Sequence, residues 1–148
     1  MLWPFNRKKW EKLGIETDGV WASTILNNWL RPDETIDIAD RDYQAVPFKE
    51  YMWLRSFKPR PLPYLSEIWD CDNFAYACMV DINRAWAERS RGKRAILQGY
   101  IKGLIKKDGV NVVHAWNWHI DDKGIGRFIE PQTDEEFTGV EFTYAVRA

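Results

Sequence analysis

Cys71, His114 and Glu130 are the residues of this chain whose types and order suit covalent chemistry. They offer a thiol that can attack a carbonyl, an imidazole that can take its proton, and a carboxylate that can hold the imidazole in one tautomer. Attack on an amide, protonation of the leaving amine by His114 and release of the thioester to water would make a cysteine-dependent hydrolase of peptide or isopeptide bonds. Release to an amine would make an acyltransferase, since the first half-reaction is the same. The competing reading is a non-catalytic binding or inhibitory module that presents an aromatic surface to a peptide or a glycan. Nine tryptophans and an aromatic share of 15% make that surface conceivable, although the helical and strand positions of Trp21, Trp29, Trp53, Trp86, Trp116 and Trp118 assign most of them to packing.

The thiol needs an element that holds it and favours its ionised form. Cys71, Phe74, Ala75, Cys78, Ile82 and Ala85 recur at the helical period, which predicts a helix opening at Cys71 and closing near residues 90–92. Asp70 stands at the cap position, and Cys71 falls in the first turn, where free N–H groups and the helix dipole favour negative charge. The dipole supplies about 0.3–1 kcal/mol, less than the ~1.4 kcal/mol of one pKa unit, and Asp70 and Asp72 oppose a second negative charge. An imidazolium must therefore complete the site.

Two histidines are present, and strand alternation separates them. Val112, His114, Trp116, Trp118 and Ile120 share one face, which is expected to meet the helix, while His119 points the other way. The segment Asp121-Asp122-Lys123-Gly124 carries hairpin chemistry. A three-residue loop would set Ile120 opposite Gly124, Trp116 opposite Phe128, and His114 opposite Glu130; a change of one residue would turn Glu130 to the wrong face.

The blocks Asp-Cys-Asp-Asn-Phe-Ala at 70–75, His-Ala-Trp at 114–116 and Ile-Glu-Pro at 129–131 resemble those of the papain-like cysteine peptidases. The resemblance is to the C-terminal peptidase domain of the fungal Marasmius oreades agglutinin and to the bacterial transglutaminase-like cysteine proteinases, and it covers residues 64–146. It implies Cys71 as nucleophile, His114 as general base and Glu130 as the residue that orients it. It also implies an α+β papain-like or transglutaminase-like core and suggests calcium activation. The Cys-Gly-(Ser/Ala)-Cys-(Trp/Tyr) signature is absent, and Leu65 stands where such enzymes carry a glutamine. The oxyanion donors would then be the Cys71 N–H and a group of Tyr64, Ser66 or Trp69.

No cofactor is required by this reading. Asp70, Asp72, Asp121, Asp122, Asp134 and Glu135 are hard oxygen donors that could hold calcium if the fold gathered them, but no EF-hand loop is present, and caps and turns are their ordinary use. A net charge of −1 gives no case for nucleic acid or anionic membranes, and the basic residues from Arg84 to Lys107 read as solvated. The expected partner is a protein or peptide substrate. Cys71 and Cys78 lie two turns apart on one helix, too far for a disulfide, so both should be free thiols in a reducing compartment. With no long apolar run at the N-terminus, a cytoplasmic protein is expected.

At 148 residues the chain is read as one domain, with a helical N-terminal part at 1–63 and a catalytic core at 64–148. Helices are expected over 18–30, capped by Thr17 or Asp18, and over 47–57, with Pro47 in the first turn. Three prolines make 58–64 extended. Strands over 94–105, 110–120, 125–130 and 140–146 should form an antiparallel meander packed on the Cys71 helix.

Overall fold

The computed structural model describes residues 13–30, 35–38, 40–57, 65, 70–90, 94–137 and 140–147. Within them the chain forms α1 (Gly19–Leu30), α2 (Phe48–Arg55) and α3 (Cys71–Ser90), with strands β1 (Ile15–Asp18), β2 (Thr35–Asp37), β3 (Asp42–Ala45), β4 (Ala95–Ile96), β5 (Gln98–Lys107), β6 (Val110–Ile120), β7 (Gly126–Ile129), β8 (Glu136–Phe137) and β9 (Val140–Arg147). The class is mixed α+β. One sheet runs β1-β3-β4 and the other β2-β9-β5-β6-β7-β8. The extended stretch at 58–64 and the oxyanion candidates Tyr64, Ser66 and Trp69 lie outside the described residues.

The helices start where local chemistry starts them. Asp18 Oδ1 accepts the Trp21 N–H at 2.8 Å, capping α1 as expected. Pro47 precedes α2, and its carbonyl accepts the N–H groups of Glu50 and Tyr51. At α3 the Asp70 carbonyl accepts the Phe74 N–H, while Asn73 Oδ1 reaches back to the Asp70 N–H at 3.3 Å. Cys71 is thus the first helical residue. The helix ends at Ser90, with Arg89 in its last turn.

A true meander, β5-β6-β7-β8, forms the middle of the larger sheet, but β9 returns to pair with β5 and β2 adds to β9 in parallel. The expected helical N-terminal part also contributes β1, β2 and β3. Sequence missed these because each is only three or four residues long, and they exist by pairing with distant partners such as β4 and β9. The strand expected over 94–105 breaks at Leu97, so that β4 pairs with β3 and β5 with β6.

Both faces of the large sheet are covered, which is why β6 is buried continuously from Ala115 to Ile120. Ala22 and Leu26 of α1, one turn apart, join Ile101, Trp116, Trp118 and Ile120 in one cluster. Tyr51 and Leu54 of α2 join Ile82, Ala85 and Trp86 of α3 with Ile129 in the other. Asn117 Nδ2 donates to the Ala75 carbonyl of α3 at 2.8 Å. The face of His114 and Trp116 was expected to meet the Cys71 helix; instead α1 packs on Trp116 and Trp118, and α3 takes the Asn117 side. Alternation gives the two faces of a strand but not the helix that covers each.

Candidate functional site

The β6–β7 hairpin differs in register from the expected one. The observed pairs are Ile120 with Gly126, Trp118 with Phe128, and Asn117 with Ile129, two residues out from the three-residue loop. The cause is Asp121. Its Oδ1 accepts the N–H groups of Lys123 and Ile125, both at 2.9 Å, and its own N–H donates to the Ile125 carbonyl, which builds a five-residue loop. Oδ2 pairs with Arg127 at 2.7 Å, and together these contacts hold the carboxyl below the usual range against the cost of burial.

A shift of two keeps each side chain on its face, because the strand period is two. Glu130 is therefore not directly opposite His114 but lies past the end of β7, and its length covers the difference: Glu130 Oε2 is 2.8 Å from His114 Nε2. Since β7 pairs with β6 only from Asn117 onward, it leaves that edge of β6 open at His114. There the tip of α3 arrives, close enough for the Cys71 side chain to act on the protonation of the imidazole. The structure thus brings Cys71, His114 and Glu130 together, by a route other than the cross-strand pair.

Electrostatics follow from that contact. Burial disfavours a charged His114, yet hydrogen bonds with Cys71 and Glu130 and the charge of Glu130 outweigh it, and its pKa is pushed up to about 9. His114 is an imidazolium at neutral pH, with 17% of its side chain exposed. His119 behaves oppositely. Fully buried and stacked on Tyr51 with ring centroids 4.1 Å apart, it loses hydration and its pKa is held down to about 3. As expected, His119 takes no part in the cluster.

Sequence reasoning missed Lys102, which it assigned to a solvated basic stretch. Lys102 Nζ lies 2.7 Å from Asp72 Oδ2 and supplies a positive charge beside the α3 tip. Asp70 is raised by its hydrogen bond with Asp72, by desolvation and by the charge of Asp72, while Asp72 is lowered by its bonds to Asp70 and Lys102. Lys102 therefore sets a positive charge against this pair of carboxylates. Tyr76, one turn after Asp72, meets Tyr100, two residues before Lys102, edge to face at 5.8 Å. No sequence signal joins α3 to β5; only the packing does.

The six acids considered for calcium are dispersed. Asp72 is paired with Lys102, Asp121 with Arg127 and Asp134 with Arg55, and among the described residues no three His, Cys, Asp or Glu side chains are grouped to hold a metal. Cys71 and Cys78 are free thiols, Cys71 partly exposed and Cys78 buried. Among the described residues no helix is long and apolar enough to cross a membrane. A groove of about 690 Å³, lined in part by Asp18, Ser23, Asn27, Asp40 and Arg41, includes none of the three expected residues.

No protein-family model matches the chain, and no curated protein matches it. Among solved structures it is similar to a complex of PSL1a with E64, at TM-score 0.76 and 22% identity, covering 90% of this chain and 51% of that one. It is also similar to the Polyporus squamosus lectin bound to the human-type influenza-binding epitope Neu5Aca2-6Galb1-4GlcNAc, at TM-score 0.67 and 23% identity, covering 87% of this chain and 49% of that one. The chain spans about half the length of these structures.

These findings correct the functional expectation. The papain-like assignment is not supported, and neither are its consequences: a cysteine peptidase or other hydrolase, a catalytic triad, a peptide substrate. The neighbours are PSL1a and a glycan-bound lectin, at identities of 22% and 23% that show likeness of fold. The physical reason is one of reach. Three blocks of three to six residues describe a local thiol–imidazole–carboxylate arrangement, and such an arrangement can recur without the activity of the family it resembles.

Proposed function

We propose that the chain is a non-catalytic glycan-binding module whose binding surface surrounds the tip of α3. The observation that carries this reading is the pairing of exposed Tyr76 with half-buried Tyr100 beside the Asp72–Lys102 ion pair, on a fold similar to that of a glycan-bound lectin. Tyr76 is 54% exposed. Aromatic rings offer flat apolar area to the C–H faces of a sugar, while an ammonium and a carboxylate bond its hydroxyl or acid groups. Cys71 precedes Asp72 at the helix start, and we assign it, with His114 and its partner Glu130, to a polar wall at the tip of α3, Glu130 holding the His114 imidazolium in place.

The test is calorimetric titration with Neu5Aca2-6Galb1-4GlcNAc and with its counterpart lacking the sialic acid. Saturable binding that weakens at least tenfold, roughly 1.4 kcal/mol, in Tyr76→Ala and Lys102→Ala supports the reading. Absence of binding across a broad glycan array overturns it, as does release of amine from a peptide library that depends on Cys71.

A further inference from the structure

Arg55, the last residue of α2, is 1% exposed and far in sequence from the cluster. A guanidinium in the core costs several kcal/mol of hydration unless its donors are met, so its partners reveal what its position secures. Nε donates to Asp134 Oδ1 at 2.7 Å, and Nη1 donates to the Tyr51 hydroxyl at 3.0 Å and to Asn117 Oδ1 at 3.1 Å. The Asn117 amide in turn donates to the carbonyls of Ala75 and Gly99, which identifies its oxygen as the acceptor from Arg55. One planar fork thus spans α2, β6 and, through Asn117, α3 and β5.

Its Nε arm reaches the turn that follows Glu130, while Nη2 is buried without a hydrogen-bond partner among the described residues. Asp134 has φ of +63°, a conformation that costs a non-glycine residue about 1–3 kcal/mol and persists only where neighbours over-determine it. Here they do. The Asp134 N–H donates to the Glu130 carbonyl at 2.9 Å, and the Glu130 N–H donates to the Glu135 carbonyl at 2.8 Å, so both backbone polar groups of Glu130 are held by Asp134 and its neighbour. The carboxylate is then used at both oxygens, Oε1 accepting the Gln132 N–H at 3.2 Å and Oε2 meeting His114 at 2.8 Å.

We propose that Arg55 and Asp134 are positioning residues that aim the Glu130 carboxylate at His114 by locking the turn at 130–135. This rests on the reading that Cys71, His114 and Glu130 act together. Arg55 is buried and Asp134 only partly so; a pair of this kind gains little stability over apolar packing and can serve to select one arrangement, here that of a residue outside any strand. Loss of the tie leaves the Glu130 side chain free to leave the imidazole.

The chain has only two histidines, so proton NMR resolves the titration of His114 directly. It is followed in the full chain and in Asp134→Asn and Asp134→Gly, whose residues tolerate positive φ while removing the charged acceptor. Salt near 1 M, where the Debye length is about 3 Å, suppresses the direct charge effect of Asp134 on His114. Wild-type titration near 9 and a fall of about one unit or more in both variants are expected, with His119 unchanged as the check on the fold. A raised wild-type value that neither folded variant moves overturns the positioning role. Titration of wild-type His114 at its ordinary value instead overturns the underlying cluster, so the two failures are distinct.

Discussion

Replacing His114 by glutamine should cost the most stability at low pH and progressively less as pH rises. In the folded chain the imidazole has a pKa of about 9 against an ordinary value of 6.5, and with its side chain 17% exposed the shift is only weakly screened. A difference of about two and a half units, at ~1.4 kcal/mol per unit, corresponds to about 3 kcal/mol of linkage free energy. Below pH 6.5 both folded and unfolded chains hold the proton, and the stabilisation is complete. Between 6.5 and 9 only the folded chain keeps it, so stability falls as pH rises; above 9 the contribution is gone. Urea unfolding of wild type and His114→Gln at pH 6, 7.5 and 9.5 measures this as a difference of differences, in which other titrating groups cancel. The two stabilities should converge by about 3 kcal/mol across that range. Parallel curves would refute the reasoning, because an imidazole without its Cys71 and Glu130 contacts has no reason to couple its proton to folding.

Four other outcomes follow from the same structure. Iodoacetamide should label partly exposed Cys71 faster than buried Cys78, whose Sγ lies 3.4 Å from the Pro131 carbonyl; mass spectrometry of partly modified protein checks the order. Burial keeps His119 neutral down to about pH 3, while its unfolded form takes a proton below 6.5, so it removes stability as pH falls between these values; His119→Phe should flatten acid unfolding there. Asn117→Ala leaves Arg55 and the Ala75 and Gly99 carbonyls short of a partner, and denaturant titration should show a loss of roughly 3 kcal/mol. At Gly126 a Cβ would fall 2.5 Å from the Trp29 ring, which stacks on Phe128; Gly126→Ala should therefore lower stability by about 1–3 kcal/mol in the same assay.

Some of the site was legible because it is local. The helix start at Cys71, its end at Ser90, the cap of α1 by Asp18 and the placing of His119 on the strand face opposite to that of His114 each depend on neighbours a few residues away; the full burial of His119 does not. Lys102 was not legible, since its partner Asp72 is thirty residues distant and on another element. Nor was Arg55, whose contact with Asp134 joins residues seventy-nine positions apart. The hairpin shows the boundary between the two. Its existence could be read from Asp121 to Gly124, but its length depended on whether the Asp121 carboxylate would cap one N–H or two.

Local periodicity determined which residues could become helix or strand and which thiol would open a helix, because those choices depend on backbone sterics and on side chains within one turn or one pleat. Tertiary structure alone decided which helix covers which face of the sheet, brought Glu130 back to His114 from beyond the end of its strand, and set Tyr76, Tyr100, Asp72 and Lys102 side by side. Those juxtapositions arise when distant elements bury their apolar faces together. Hydrophobic burial has no direction of its own, so no short run of residues can specify where its side chains will meet.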